Sequence, residues 1–303
     1  YALVGNTTGA NNTAFGSFAL DNNTTAGNNT SVGYSALFAN STGDQNVAVG
    51  AYALDANTTA HNNTAVGYAA LGANTTGTQN VSVGAGSLDA NTTANNNTGV
   101  GYGALSANTT GVSNTACGRK ALDVNTTGTA NTAVGTDAMI SHTTGVNNVA
   151  VGVQALMDST TGFKNTALGV NAGQNLTSGD NNVFVGENTA SNITTGDNNV
   201  YLGSNCQSSS ATVLREIVLG YAITGKGGRT FYVASDSGVY HGGNTSTWST
   251  TSDRRIKKNI ADNSEGLSLI NQIAVKNFEY KTAEEIESAG EVPVTDAVDK
   301  TGT

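Results

Sequence analysis

Proline occurs once in this 303-residue chain, tryptophan once and cysteine twice. Two cysteines cannot build a disulfide scaffold. A single proline, with no glycine at every third place, excludes a collagen helix. Charged residues make up only 12% of the chain, about half the usual share, and aromatics only 6%. No run approaches the roughly 20 apolar residues of a membrane span, so no membrane insertion is expected. No basic start followed by an apolar core marks a secretory signal. The net charge of −9 argues against a nucleic-acid surface.

Metal-binding and catalytic patterns are equally scarce. His61, His142 and His241 stand far apart, and neither Cys117 nor Cys206 has a Cys-x-x-Cys partner. Cys117 reads as a core substitute for Val, and Cys206 occupies an Ala position. The calcium-binding Gly-Gly-x-Gly-x-Asp nonapeptide is missing. No phosphate-cradling glycine loop precedes a helix, so no cofactor is expected. The repeats offer no convincing carboxylate pair for glycan hydrolysis, and no activity on an external substrate is expected.

Glycine, at 38 residues, is abundant, and it is periodic. Gly16, Gly33, Gly50 and so on to Gly220 recur every 17 residues without a slip. Four places before each stands Asn, from Asn12 to Asn199, until Glu216 breaks the file. One coil reads Asn-Thr-Ala-Val-Gly-x-x-Ala-Leu-x-x-Asn-Thr-Thr-Gly-x-x. A weaker period of 34 places Tyr34, Tyr68 and Tyr102 after every second corner glycine. It reads as duplication of a two-coil unit.

A unit of 17 residues cannot bury a core alone, so stability must come from stacking. The fold class expected is all-β: a repetitive β-solenoid or β-roll with 17-residue coils, homotrimeric, followed by a small, truncated α+β domain. Thirteen coils make a rod of roughly 60 Å. In Asn-Thr-Ala-Val-Gly, the Thr and Val share one strand face. That face is expected to point inward, with the Ala between them pointing out. Gly marks a corner of positive φ or close backbone approach, and stacked Asn is expected to form an amide ladder. The Ala-Leu pair three and four places after Gly is too apolar for a solvated corner and is expected to face another chain. No aromatic cluster suggests a sugar platform. The Asn-x-Thr triplets read as products of the structural repeat rather than glycosylation acceptors.

The repeat is assigned to 1–203 and a β-rich neck to 204–251, with Ile217–Gly220, Thr230–Val233 and Gly238–Tyr240 as short strands. Composition then shifts abruptly: 17 of the 35 charged residues lie in 253–303. Ser264–Ala274 reads as an amphipathic helix, Val275–Lys281 as a strand, and Thr282–Glu285 as a capping box for a helix that stops at Gly290. The chain opens inside a coil and stops at Thr303 without an evident end, so it reads as part of a longer protein.

Thr251-Ser252-Asp253-Arg254-Arg255-Ile256-Lys257-Lys258-Asn259-Ile260 carries the one candidate chemistry. Taken bare, Ser252 and Lys257 offer a Ser–Lys dyad. The Ser needs a base, and Lys serves only when burial or neighbouring positive charge lowers its pKa. The competing reading is a solvated basic turn with Ser252-Asp253 as a cap.

The coils resemble the head repeats of trimeric autotransporter adhesins, and similar Asn-Thr-Ala-Val-Gly arrays occur in phage tail fibres. The segment from Ser252 is similar to the start of the intramolecular chaperone auto-processing domain of phage tail fibres and tailspikes, of endosialidase type. Its Ser-Asp-x-Arg-x-Lys-x-Asn-Ile pattern is met at Ser252, Asp253, Arg255, Lys257, Asn259 and Ile260. That resemblance implies a domain at 252–303 that drives trimerisation and then cuts itself off. Ser252 would be the nucleophile, Lys257 its base, and Thr251–Ser252 the scissile bond, with Asp253, Arg255 and Asn259 in support. Autoproteolysis would be single-turnover. A related domain occurs in a membrane-tethered transcription factor, but the repeats have almost no Lys or Arg for DNA, and that reading is rejected.

The function implied is a structural and adhesive tail-fibre shaft. It would be made in the host cytoplasm and be extracellular on the mature virion. Its expected partners are its own copies, other virion tail proteins, and a host-surface polysaccharide or protein receptor. The alternative is a Thr/Asn-ladder surface adhesin or ice-binding solenoid without self-cleavage.

Overall fold

The structure, a computed structural model, describes residues 1–234 and the strands 239–242 and 249–250. The chain divides into two units, Tyr1–Ser252 and Asp253–Thr303, and the first holds every described residue. It contains one 16-stranded sheet whose strands follow one another in sequence order. The first thirteen, from β1 (Thr13–Phe15) to β13 (Ile217–Gly220), each occupy one coil. Every neighbouring pair among them is parallel and in register, so that Thr64 pairs with Val81 and Ala65 with Ser82. β14 (Thr230–Ala234) continues the parallel ladder. The chain then reverses, and β15 (Val239–Gly242) and β16 (Ser249–Thr250) pair antiparallel. The solenoid of 17-residue coils expected from the spacing is the fold observed.

The core differs from the expectation in two respects. Within each three-residue strand the middle residue points inward: Ala48, Ala65, Ala116, Ala133, Ala150 and Ala167 are all fully buried, while their Thr and Val neighbours are half-buried or exposed. The Ala-Leu pair also faces its own coil, with Leu20, Leu37, Leu54, Leu71, Leu105 and Leu122 fully buried. The reason is space. A short coil encloses one narrow channel, and one Leu with its flanking Ala residues fills it at interior density.

Exchange between the two positions confirms that they share one slot. Where Phe184 and Tyr201 replace the strand Ala, the Leu place holds Gly173 and Ala190. A Cβ on Gly173 would collide with the Phe184 ring. Burying each such Leu contributes roughly 1.5–3 kcal/mol relative to exposure. The Leu residues sit at positive φ, between 49° and 55° with Met139 in the same place, a conformation that L residues avoid. Burial holds them there.

Gly67 shows why the corner glycine is invariant along the array. Its φ is +138°, and an added Cβ would lie 2.6 Å from both the carbonyl carbon and the oxygen of Gly84 in the next coil. A side chain is excluded there twice, by the positive φ and by the neighbouring backbone.

Two asparagine files run along the rod. In the first, each Oδ1 accepts from the backbone N–H of the Asn one coil on, as Asn63 does from Asn80 at 2.9 Å. Each Nδ2 closes its own coil, as Asn63 does onto Gly77 O at 2.9 Å. The second file, Asn6 to Asn125, is a side-chain ladder in which Asn57 Nδ2 donates to Asn40 Oδ1 at 2.9 Å. The amide ladder expected from the sequence is therefore doubled, and it satisfies buried groups that would otherwise cost free energy.

Both files have an ending. Glu216, fully buried, still donates its N–H to Asn199 Oδ1. Its carboxylate accepts from Tyr201 O–H at 2.7 Å and from the N–H groups of Ser209 and Gly227. Burial first, and then the Glu216 carboxylate, push the Tyr201 phenol well above its ordinary range. In the second file His142 replaces Asn, followed by Ser159, Leu176 and Ile193, all buried. Asn125 Oδ1 is left buried and unpartnered.

Candidate functional site

The candidate processing residues Thr251, Ser252, Asp253, Arg255, Lys257 and Asn259, and the helices and strand expected at 264–290, lie outside the described residues. What the structure supplies is the approach to them. The parallel ladder ends at β14, the chain reverses through β15, and β16 ends at Thr250, next to the expected scissile bond. The expected cut thus follows the last described strand in sequence.

The outer strand face is a second candidate surface. The residue before each corner glycine forms a file that runs from Phe15 through the Val residues to Leu202 and Leu219. Phe15 is strongly exposed, and Val134, Val151, Leu168 and Leu202 are exposed as well. No charged residue interrupts this file in β1 to β13. Cys117 belongs to it and is exposed, so it stands in for Val on the outside of the coil and not in the core. Cys206 is buried as an Ala replacement, its Sγ 3.0 Å from Gly220 O. Burial pushes its thiol up.

A third feature was not foreseen. Phe18, Tyr34, Tyr52 and Tyr68 form a row of edge-to-face rings on the surface, with centroids 5.9, 5.4 and 5.9 Å apart. Phe38 joins at Phe18. The expectation of no aromatic cluster was wrong because the rings alternate between the first and second places after the corner glycine. They are adjacent in space without sharing one repeat position. The row stops at Tyr68, and Tyr102 stands two coils further on, roughly 10 Å away. Between them lies a cleft of about 410 Å³ lined by Tyr68, Gly86, Asp89, Tyr102, Lys120 and Asp123, among others. The signal that would have located it is the 34-residue period, which Asp21, Asp55, Asp89 and Asp123 share with the tyrosines.

Among the described residues no group of His, Cys, Asp and Glu is arranged to hold a metal ion. His61 lies at the surface, its Nδ1 accepting from the Asp44 N–H at 2.9 Å. His142 is buried, and burial lowers its pKa.

Comparison with known proteins adds one finding. Residues 252–298 match the family model described as the chaperone of endosialidase. No curated protein and no solved structure matches the chain. A solenoid of 17-residue coils followed at Ser252 by a chaperone-of-endosialidase segment fits an endosialidase-type fibre protein with a C-terminal chaperone.

Proposed function

We propose that this chain is the shaft of a phage tail fibre, a structural and adhesive homotrimer assembled by its C-terminal chaperone, which then removes itself at Thr251–Ser252. The observation that carries the reading is the family match beginning at residue 252, two residues beyond the end of β16. Ser252 Oγ attacks the Thr251 carbonyl while Lys257 takes its proton. The peptide nitrogen leaves as the free amine of Ser252, and water hydrolyses the resulting ester to leave Thr251 with a carboxylate. Asp253, Arg255 and Asn259 support this arrangement. A fibre that has lost its chaperone cannot use it to re-form, so its folded state is guarded kinetically.

The uncharged outer file supports self-association. Its side chains recur once per coil over thirteen strands. A partner matches that spacing along the whole length only if it has the same coil, and two further copies of this chain do. The mature fibre would be extracellular on the virion, beside other tail proteins.

The ice-binding alternative is weakened by hydrogen bonding. The first Thr of most Thr-Thr pairs donates its hydroxyl to the next coil, as Thr75 does to Thr92 O and Thr109 does to Thr126 O. Where that bond forms, the Thr-Thr file keeps one free hydroxyl per coil, a line and not a plane.

The test is the intact mass of the full-length parent protein beside its Ser252→Ala variant. A wild-type fragment ending at Thr251, with the variant whole, is the expected result. Both chains remaining whole with the complete chaperone present would remove Ser252 as nucleophile.

A further inference from the structure

We infer that the cleft between Tyr68 and Tyr102 is a binding subsite for one uncharged pyranose ring of a glycan chain. This deepens the adhesive half of the reading above, and its failure would leave shaft, chaperone and cleavage untouched.

The argument begins with a missing side chain. Gly86 stands 34 residues after Tyr52, at the same place in its coil, and the backbone there is the same: φ is 63° at Gly86 and 60° at Tyr52. Tyr52 fills the space between Tyr34 and Tyr68, touching both rings edge to face. At Gly86 an added Cβ would meet nothing within 4 Å. The cleft therefore opens where one ring is missing from an aromatic row, with Tyr68 and Tyr102 left as its two ends. Both are 62% exposed, against 39% for Tyr52, whose neighbours cover it on either side.

The lining states which ring fits. Two tyrosine rings offer apolar surfaces of the kind that stack against the C–H face of a pyranose. The same cleft carries hydrogen-bonding side chains, the partners a sugar's hydroxyls need. Asp89 has no side-chain hydrogen bond or ion pair within the described residues, and loss of water around it raises its pKa. It is a free acceptor for hydroxyl donors. Asp123 is held by Lys120 Nζ at 3.2 Å and by the Ser106 hydroxyl, so it is fixed in place with lone pairs remaining. Two carboxylates against one ammonium leave the cleft net negative, which disfavours acidic sugars. A plain aromatic side chain would leave Asp89 unpaired. A neutral polyhydroxylated ring satisfies both the stacking faces and the carboxylates.

Gly86→Tyr is the decisive variant, because Tyr52 shows that this backbone place accepts tyrosine. The full chain would be titrated by calorimetry and saturation-transfer NMR with maltohexaose, cellohexaose and mannohexaose, and with a sialic acid oligomer as the acidic control. The expected result is saturable binding of at least one neutral oligosaccharide. Gly86→Tyr and Tyr102→Ala should weaken it by about tenfold or more, with the circular dichroism unchanged. Binding by none of the neutral sugars, equal binding by Gly86→Tyr, or preference for the sialic acid oligomer would each overturn the inference.

Discussion

Replacing His142 by Asn should stabilise the rod and remove part of its sensitivity to acid. The buried Asn125 Oδ1 has no partner because the next member of its file is His142. In the preceding coils that place is an Asn whose Nδ2 donates backward, at 2.8 Å from Asn125 to Asn108, and closes its own turn, at 3.1 Å onto Gly128 O. His142 instead makes two long contacts, 3.3 Å to the Ser159 hydroxyl and 3.4 Å to Asn148 Nδ2. Asn148 loses little in the exchange, since its Nδ2 already reaches Gly162 O at 2.8 Å. The variant gains one amide bond and relieves one buried acceptor, together about 1–2 kcal/mol.

The pH term has a definite sign. Burial lowers the His142 pKa in the folded chain, so below about pH 6.5 the unfolded chain binds more protons at this residue. Its neutral, folded contribution is complete above the unfolded value and is lost as pH falls through it toward the folded one. Denaturant melts of wild type and His142→Asn at pH 8 and pH 5, followed by circular dichroism, give a difference curve that isolates this residue. The stabilisation should be larger at pH 5. A variant less stable at both values, or a difference independent of pH, would refute the account of the file.

Further outcomes follow from the packing and from the outer file. Gly67→Ala forces a Cβ against the Gly84 carbonyl at positive φ and should cost about 3 kcal/mol or more, read as a lowered melting temperature or insoluble expression. Leu71→Ala should cost about 2–5 kcal/mol and Ala65→Val about 1–3 kcal/mol through overpacking, in thermal melts. Val66→Ala, on the outer file, should leave the fold of a single chain nearly unchanged and weaken association measured by sedimentation. In assembled protein Cys117 should form an interchain disulfide under mild oxidant, seen on a non-reducing gel, because it lies on the file assigned to self-association. Monomeric Cys117 throughout would count against that face.

The period, the corner glycine and the asparagine file were legible in the sequence because each repeats a residue with a single backbone use. The direction of the strand face was not. Alternation in Thr-Ala-Val states that two sets of side chains point opposite ways, but with Ala in one set and Val in the other, hydrophobicity favours the larger set for the interior. Channel width decides instead, and width is a property of the closed coil. The same reasoning misplaced Ala-Leu and Cys117. The aromatic row escaped because its rings alternate between two repeat positions. The processing residues were legible only as a pattern, since the pairing of Ser252 with Lys257 depends on geometry that five residues of spacing do not supply.

The stacked files also make the rod a ruler. Each coil touches only its neighbours, so length changes in whole coils without altering any contact elsewhere. A gain or loss of 34 residues shifts the length by roughly 10 Å and preserves the phase of tyrosines and aspartates. A change of 17 preserves the fold but puts those two surface files out of step, and an insertion that is not a multiple of 17 must bulge out of the coil as a loop or break both asparagine files and the corner glycines at once. Variation in such a shaft is therefore expected to come in quanta, with reach and surface chemistry adjustable separately.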